Sequence, residues 1–146
     1  MKSKAAVHRI VEALKALYPD ARCSLNYQKD YELLFAVRLS AQCTDARVNM
    51  VTPALFQKYP SLEAFAGASY EEVGEAIRSC GFYNTKSKDL VECAKILLEQ
   101  HGGKVPGTME ELTALPGIGR KTANLILGDV YGQPAYVCDT HCIRIT

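Results

Sequence analysis

The chain has 146 residues, a formal charge of +1 and a 48% hydrophobic composition, which is enough for one compact core and calls for no second complete domain. No apolar run approaches the ~20 residues that a membrane span needs. His8, Arg9, Glu12 and Lys15 interrupt the N-terminal segment, which excludes a secretory apolar region and points to the cytoplasm. The net charge over residues 1–50 is +3, over 51–100 it is −2 and over 101–146 it is zero. Any contact with a polyanion is therefore local, made by a few placed cations and backbone amides. The six cysteines, Cys23, Cys43, Cys80, Cys93, Cys138 and Cys142, form no CxxC and no Cys/His knuckle, so neither a zinc ribbon nor a dithiol redox motif is present. Cys138, His141 and Cys142 alone lack further ligands, and no metal site is assigned.

The periodicity is helical almost throughout. Val7, Ile10, Val11, Leu14, Leu17 and Tyr18 form an apolar stripe in "VHRIVEALKALY" that Pro19 ends. After the polar connector "SLNYQKD", the segment "YELLFAVRLSAQ" is apolar on nearly all sides apart from Glu32 and Arg38, as expected of a central buried helix that carries Gln42 at its end. A third helix is expected from Thr44 or Asp45 to Lys58, with Val48, Val51, Leu55 and Phe56 inward and a kink or break at Pro53. Ser69 with Glu72 is a capping-box signature opening "EEVGEAIRSCG", which Gly81 closes. A further helix follows "FYNTKS" and runs through Leu90, Val91, Ala94, Ile96, Leu97 and Leu98 to "HGG". Thr108 with Glu111 repeats the capping pattern ahead of "MEELTAL". No strand series or hairpin turn appears. The expected fold is all-α, a bundle of about seven or eight helices.

The segment "LPGIGRKTANLIL" stands apart. Pro116, Gly117 and Gly119 make a tight turn between two helices, and Arg120 and Lys121 open the second one. Cations are disfavoured at the positive end of a helix unless an anion compensates them. A glycine turn whose amides share the direction of that helix end makes a nest for one phosphate. Taken alone, the segment also fits a plain connecting turn in which Leu115 and Ile118 supply packing. The closing residues "VCDTHCIRIT" read as a new helix starting at Asp139 or Thr140 with no stop signal, as in a chain cut short.

These residues resemble the endonuclease III branch of the helix-hairpin-helix DNA glycosylases. "LPGIGRKTANLIL" and "VCDTHCIRI" match the branch's hairpin, lysine and aspartate segments; "LLFAVRLSAQCTD", "CGFYNTKSKDL" and "LLEQHGGKVP" match the stretches before them, in order. The resemblance covers essentially the whole chain. It implies base excision repair by a bifunctional DNA glycosylase and AP lyase acting on oxidised pyrimidines in double-stranded DNA, as a monomer associated with the nucleoid. By position it makes Lys121 the nucleophile and Asp139 the essential carboxylate. It also makes Gln42 the residue that fills the gap left by an extruded base, and it sets Phe82 near a wedge position that more often holds Leu. Leu115, Gly117, Gly119, Arg120 and His141 would lie on DNA, whereas Arg144 is open between phosphate contact and fold support.

The chemistry suits these residue types, because a lysine amine can attack the sugar and form a Schiff base that permits β-elimination while a carboxylate stabilises the developing positive charge. The positive helix end and Arg120 both disfavour a further cation at Lys121, which favours the neutral amine that a nucleophile needs. For each residue a plainer reading exists: a solvated lysine at Lys121, a helix cap at Asp139, a satisfied core amide at Gln42, core packing at Phe82. A non-catalytic helix-hairpin-helix module that only grips backbone is the main alternative, but it would need no Asp139. A partner-binding helical domain comes third.

The family usually carries a 4Fe–4S cluster on four close cysteines, and no such spacing occurs here. The cluster is thus expected in the full-length family protein but not encoded in this chain. The division expected from the resemblance is an N-terminal helix at 1–22 that would pack with the segment beyond the chain, a helical domain at 23–133 with the hairpin at 109–130, and the start of a second domain at 134–146. The stripe on the first helix is then expected to be exposed.

Overall fold

The computed structural model describes residues 3–17 and 25–133. Helix α1, Lys4–Leu17, has no buried residue. Its stripe lies open, with Val7, Ile10, Val11, Leu14 and Leu17 each more than 40% exposed, as the resemblance rather than the pattern leads one to expect. No described helix is long and apolar enough to cross a membrane.

Helix α2, Asp30–Leu39, is the central one, and Tyr31 through Val37 and Leu39 are all buried. Even Glu32 is inside, where its carboxylate accepts from the N–H groups of Gln28 at 2.8 Å and Lys29 at 3.2 Å. These two bonds satisfy the amides of the N-cap residue and of the one before it. Helix α3, Asp45–Lys58, is capped by Thr44, whose hydroxyl accepts from the Arg47 N–H at 3.1 Å. Pro53 neither ends nor divides it, so of the expected kink or break, no break occurs. Its ring faces outward, while Val48, Thr52 and Leu55 are buried and hold the helix on both sides of the missing N–H.

Two short helices follow: α4, Leu62–Ala66, capped by Ser61, and α5, Tyr70–Ala76, capped by Ser69. The Ser69 hydroxyl accepts from the Glu72 N–H at 3.2 Å, as the capping signature implies. Helix α5 stops at Ala76, and a 3₁₀ turn at Arg78–Cys80 carries the chain to Gly81, so the α-helix is shorter than "EEVGEAIRSCG". Helix α6, Tyr83–Gln100, begins before the "NTKS" that the sequence reading leaves as connector. Lys86 and Ser87 are buried in its first turns. Helices α7, Met109–Thr113, and α8, Arg120–Asp129, complete the described part.

Helices α4 and α5 pack on α6, and α8 packs on α7 and α2. Phe35 of α2 and Phe65 of α4 meet edge to face with centroids 5.0 Å apart, and Tyr31, Phe56 and Tyr59 close around Phe65. Such pairs add about 0.5–1.5 kcal/mol each beyond burial. This core fixes α2 as the post on which the α7–α8 hairpin and the start of α6 are mounted. Among the described residues the fold is all-α, as expected.

Candidate nucleic-acid interface

The hairpin is built from its caps inward. The Thr108 hydroxyl accepts from the Glu111 N–H at 3.3 Å and donates to the Glu111 carboxylate at 2.9 Å, which starts α7. After Thr113, the Leu115 N–H donates to the Leu112 carbonyl at 3.1 Å, and the Ile118 N–H donates to the Leu115 carbonyl at 3.2 Å. Leu115 and Ile118 are buried and pin the turn to the core. The side chain of Leu115 thus belongs to the core, and a contact with a polyanion there falls to the backbone of the turn.

The two glycines do different work. Gly117 has φ 72°, and a Cβ there would sit 2.3 Å from Arg38 Nε and 2.4 Å from Asp89 Oδ2. Left-handed backbone and close approach both require glycine. What approaches is an ion pair between α2 and α6: Arg38 Nη2 lies 2.7 Å, and Nε 2.8 Å, from the same Asp89 oxygen. Gly119 is the opposite case. It caps α8 at φ −97° and ψ −176°, a conformation any residue adopts, and its missing Cβ would meet nothing within 4 Å. The fold does not require glycine there.

At the mouth of α8 the cap residue has no side-chain oxygen and the first turn has no carboxylate. No hydrogen bond among the described residues uses the N–H of Gly119, Arg120, Lys121 or Thr122. Arg120 and Lys121 are exposed, and neither forms an ion pair among the described residues. The arrangement is a set of N–H donors with two cations beside it that have no ion-pair partner among the described residues, which suits a phosphate group.

A second feature lies beside Arg38. Gln42, Phe82, Arg38, Ala41, Thr85 and Lys86 line a cleft of about 200 Å³. Gln42 is exposed in the turn after α2 rather than buried within a helix, because α2 ends at Leu39. Phe82 is 64% exposed, so it does not pack in the core. Gln42 at φ 53° and Phe82 at φ 47° are the two described non-glycine residues with positive φ. Such backbone costs on the order of 1–2 kcal/mol each and concentrates at functional sites.

Lys86, which sequence reasoning missed, underlies both. It is 1% exposed, and its ammonium donates to the carbonyls of Leu39 at 2.8 Å, Ala41 at 2.8 Å and Cys80 at 2.9 Å. Burial lowers its pKa, and the neighbouring thiols of Cys43 and Cys80 work against that shift. Only the polar letters of "FYNTKS" hinted at it, and polar letters read as connector. A wider depression of about 770 Å³, between residues 25–29 and α3, contains none of the predicted site residues. Asp139, His141 and Arg144 lie outside the described residues. Among the described residues no group of three or more His, Cys, Asp or Glu side chains could hold a metal ion. Cys43, Cys80 and Cys93 are free thiols, so the described cysteines supply no donor set for an iron–sulfur cluster.

An all-helical domain in which a glycine hairpin presents helix-end amides beside a cleft of strained, exposed side chains defines a helix-hairpin-helix protein. The profile of the HhH-GPD superfamily base excision DNA repair proteins matches residues 35–146. The chain belongs to that superfamily, in its endonuclease III branch. It is 49% identical to the Endonuclease III of Synechocystis sp. over 138 residues, 94% of this chain and 63% of that protein. It is 45% identical to that of Bacillus subtilis over 130 residues, 89% and 59% respectively. The Endonuclease III of Escherichia coli K12 is 40% identical over 143 residues, 98% of this chain and 68% of that one. The chain thus spans about three-fifths of the first two relatives. The solved structure of a non-covalent Endonuclease III–DNA complex superposes with a TM-score of 0.90 at 40% identity, covering 99% of this chain and 68% of that chain. A thermostable thymine-DNA glycosylase, 22% identical with a TM-score of 0.85, shares the fold.

Proposed function

We propose that this protein is a bifunctional DNA glycosylase and AP lyase of base excision repair that acts on oxidised pyrimidines in double-stranded DNA, as a monomer in the cytoplasm at the nucleoid. The observation that carries the reading is the mouth of α8: Lys121 stands exposed beside helix-end amides that no described residue uses, near a glycine that the fold itself does not require. Two similar solved structures support it, one a non-covalent Endonuclease III–DNA complex and the other a trapped covalent Endonuclease III–DNA intermediate.

In the proposed reaction the hairpin amides and Arg120 take a backbone phosphate, which positions the duplex without reading its sequence. The target nucleotide leaves the stack at a cost of about a few kcal/mol, least for damaged bases. Gln42 and Phe82 fill and hold open the gap, and His141 adds a DNA contact. The neutral amine of Lys121 attacks C1′, and the glycosidic bond breaks with its electron pair leaving on the base, which takes up a proton. Asp139 stabilises the positive charge that develops at C1′. Ring opening gives a protonated Schiff base on Lys121. Loss of a C2′ proton then expels the 3′ phosphate, and water hydrolyses the imine to free the lysine.

A 4Fe–4S cluster in the full-length protein stays part of the proposal on family grounds, and none of these steps runs through it. So does the division into 1–22, 23–133 and 134–146, which the unburied face of α1 supports. The test is base release and strand scission on a duplex carrying one thymine glycol. Scission leaving a 3′ unsaturated aldehyde, abolished in Lys121→Gln, is the expected result. Tight duplex binding with no release would leave a backbone-gripping module instead.

A further inference from the structure

We propose that Lys86 is a positioning residue for base extrusion: it ties the two strained turns that carry Gln42 and Phe82 into one rigid unit. This deepens the reading above and rests on it. Its three ammonium protons meet three carbonyls from two separate segments, Leu39 and Ala41 at the end of α2 and Cys80 in the 3₁₀ turn. Ala41 precedes Gln42 directly, and Cys80 is separated from Phe82 by Gly81 alone. The turns hold no backbone hydrogen bond to each other among the described residues; the Cys43 and Cys80 thiols meet across them, and Gln42 and Phe82 line the same cleft with Lys86 at its base. At 1% exposure, Lys86 touches no DNA. With all three donors engaged it is not a nucleophile either, so it acts only through the turns it holds. The left-handed backbone of Gln42 and Phe82 is unfavourable and persists only where surrounding contacts over-determine it; Lys86 supplies those contacts.

The test compares two substrates. A duplex abasic site demands that the neighbouring stack be opened and filled, whereas an abasic site in a single strand does not. Lys86→Met replaces the ammonium by an apolar end of similar length. Its borohydride-trapping rate is expected to fall about 100-fold on the duplex, the scale set by displacing a positioned group by about 1 Å, and to stay within about threefold of the parent on the single strand. The milder Lys86→Gln, which keeps two N–H donors, is expected between the two. In a Gln42→Ala, Phe82→Ala background, adding Lys86→Met is expected to cause no further loss on the duplex, because the residues act as one unit. Equal losses on both substrates, an additive loss in that background, or failure of both Lys86 variants to fold would each overturn the proposal. Failure of the underlying reading looks different: the unsubstituted protein would then trap on neither substrate.

Discussion

Exchanging the two hairpin glycines separately distinguishes a glycine held by the fold from one kept for a ligand. In Gly117→Ala the residue must hold φ 72° with a side chain, which costs about 1–2 kcal/mol. The new Cβ would also lie 2.3 Å from Arg38 Nε and 2.9 Å from Arg38 Cδ, with the Asp89 carboxylate at 2.4 Å, so the guanidinium has to move. Those side chains are 15% and 16% exposed. Breaking a fully buried pair costs about 3–5 kcal/mol, and this partly screened one should cost about 1–2 kcal/mol. The sum is about 2–4 kcal/mol, or a fall in Tm of about 4–16 °C for a chain of this size. Gly119→Ser has none of these penalties, because its backbone is ordinary, its space is open, and serine caps a helix better than glycine. It is expected to leave Tm unchanged or raised while weakening duplex binding, because the hydroxymethyl group occupies the space a phosphate needs. Thermal unfolding and duplex titration at fixed salt measure both. A loss under about 1 kcal/mol for Gly117→Ala, or an unchanged duplex affinity for Gly119→Ser, would refute the reasoning.

Phe82→Gly is expected to leave stability unchanged or raise it by about 1 kcal/mol, because it relieves left-handed backbone at an exposed position, while lowering incision of damaged duplex; a lower Tm with full incision would contradict this. Burial, reinforced by the Asp89 carboxylate, pushes the Cys93 thiol from 9.0 up to about 12. A thiol raised in the folded state contributes stability that is complete below the unfolded value of 9.0 and is lost as pH rises toward about 12. The urea midpoint should therefore fall across that window, and less so in Cys93→Ala. At about pH 8, iodoacetamide should label Cys93 only as fast as the protein unfolds; labelling at the rate of a free thiol would contradict the assignment.

The helices were legible in the chain wherever a cap and a stripe coincide. Ser69 and Thr108 cap where the sequence places them, and the glycines around Ile118 mark the hairpin because they punctuate two helical patterns so closely. Helix α4 escaped because five residues are too few to display a period. The sequence carries the helix on to Gln42 because "YELLFAVRLSAQ" contains no Gly or Pro to stop it. The stop at Leu39 comes from the Ser40 hydroxyl donating to the Val37 carbonyl at 2.7 Å and from Lys86, far away in sequence. Lys86 itself was hidden because a charged letter in a polar stretch reads as solvated, and only tertiary packing shows that three carbonyls enclose it. The contact of Gly117 with Arg38 and Asp89 joins three segments, so local pattern holds no trace of it. Gly117 and Gly119 look equivalent in "PGIG" and differ only once the fold surrounds one of them.

The most direct measurement is borohydride trapping on a duplex carrying one abasic site, followed by mass spectrometry of the adduct. The account expects a single covalent complex whose modified peptide carries the sugar on Lys121, present in the parent protein and absent in Lys121→Gln. An adduct on another residue, or trapping that survives in Lys121→Gln, would contradict the assignment of the nucleophile. Full duplex binding with no adduct would contradict the proposed chemistry itself.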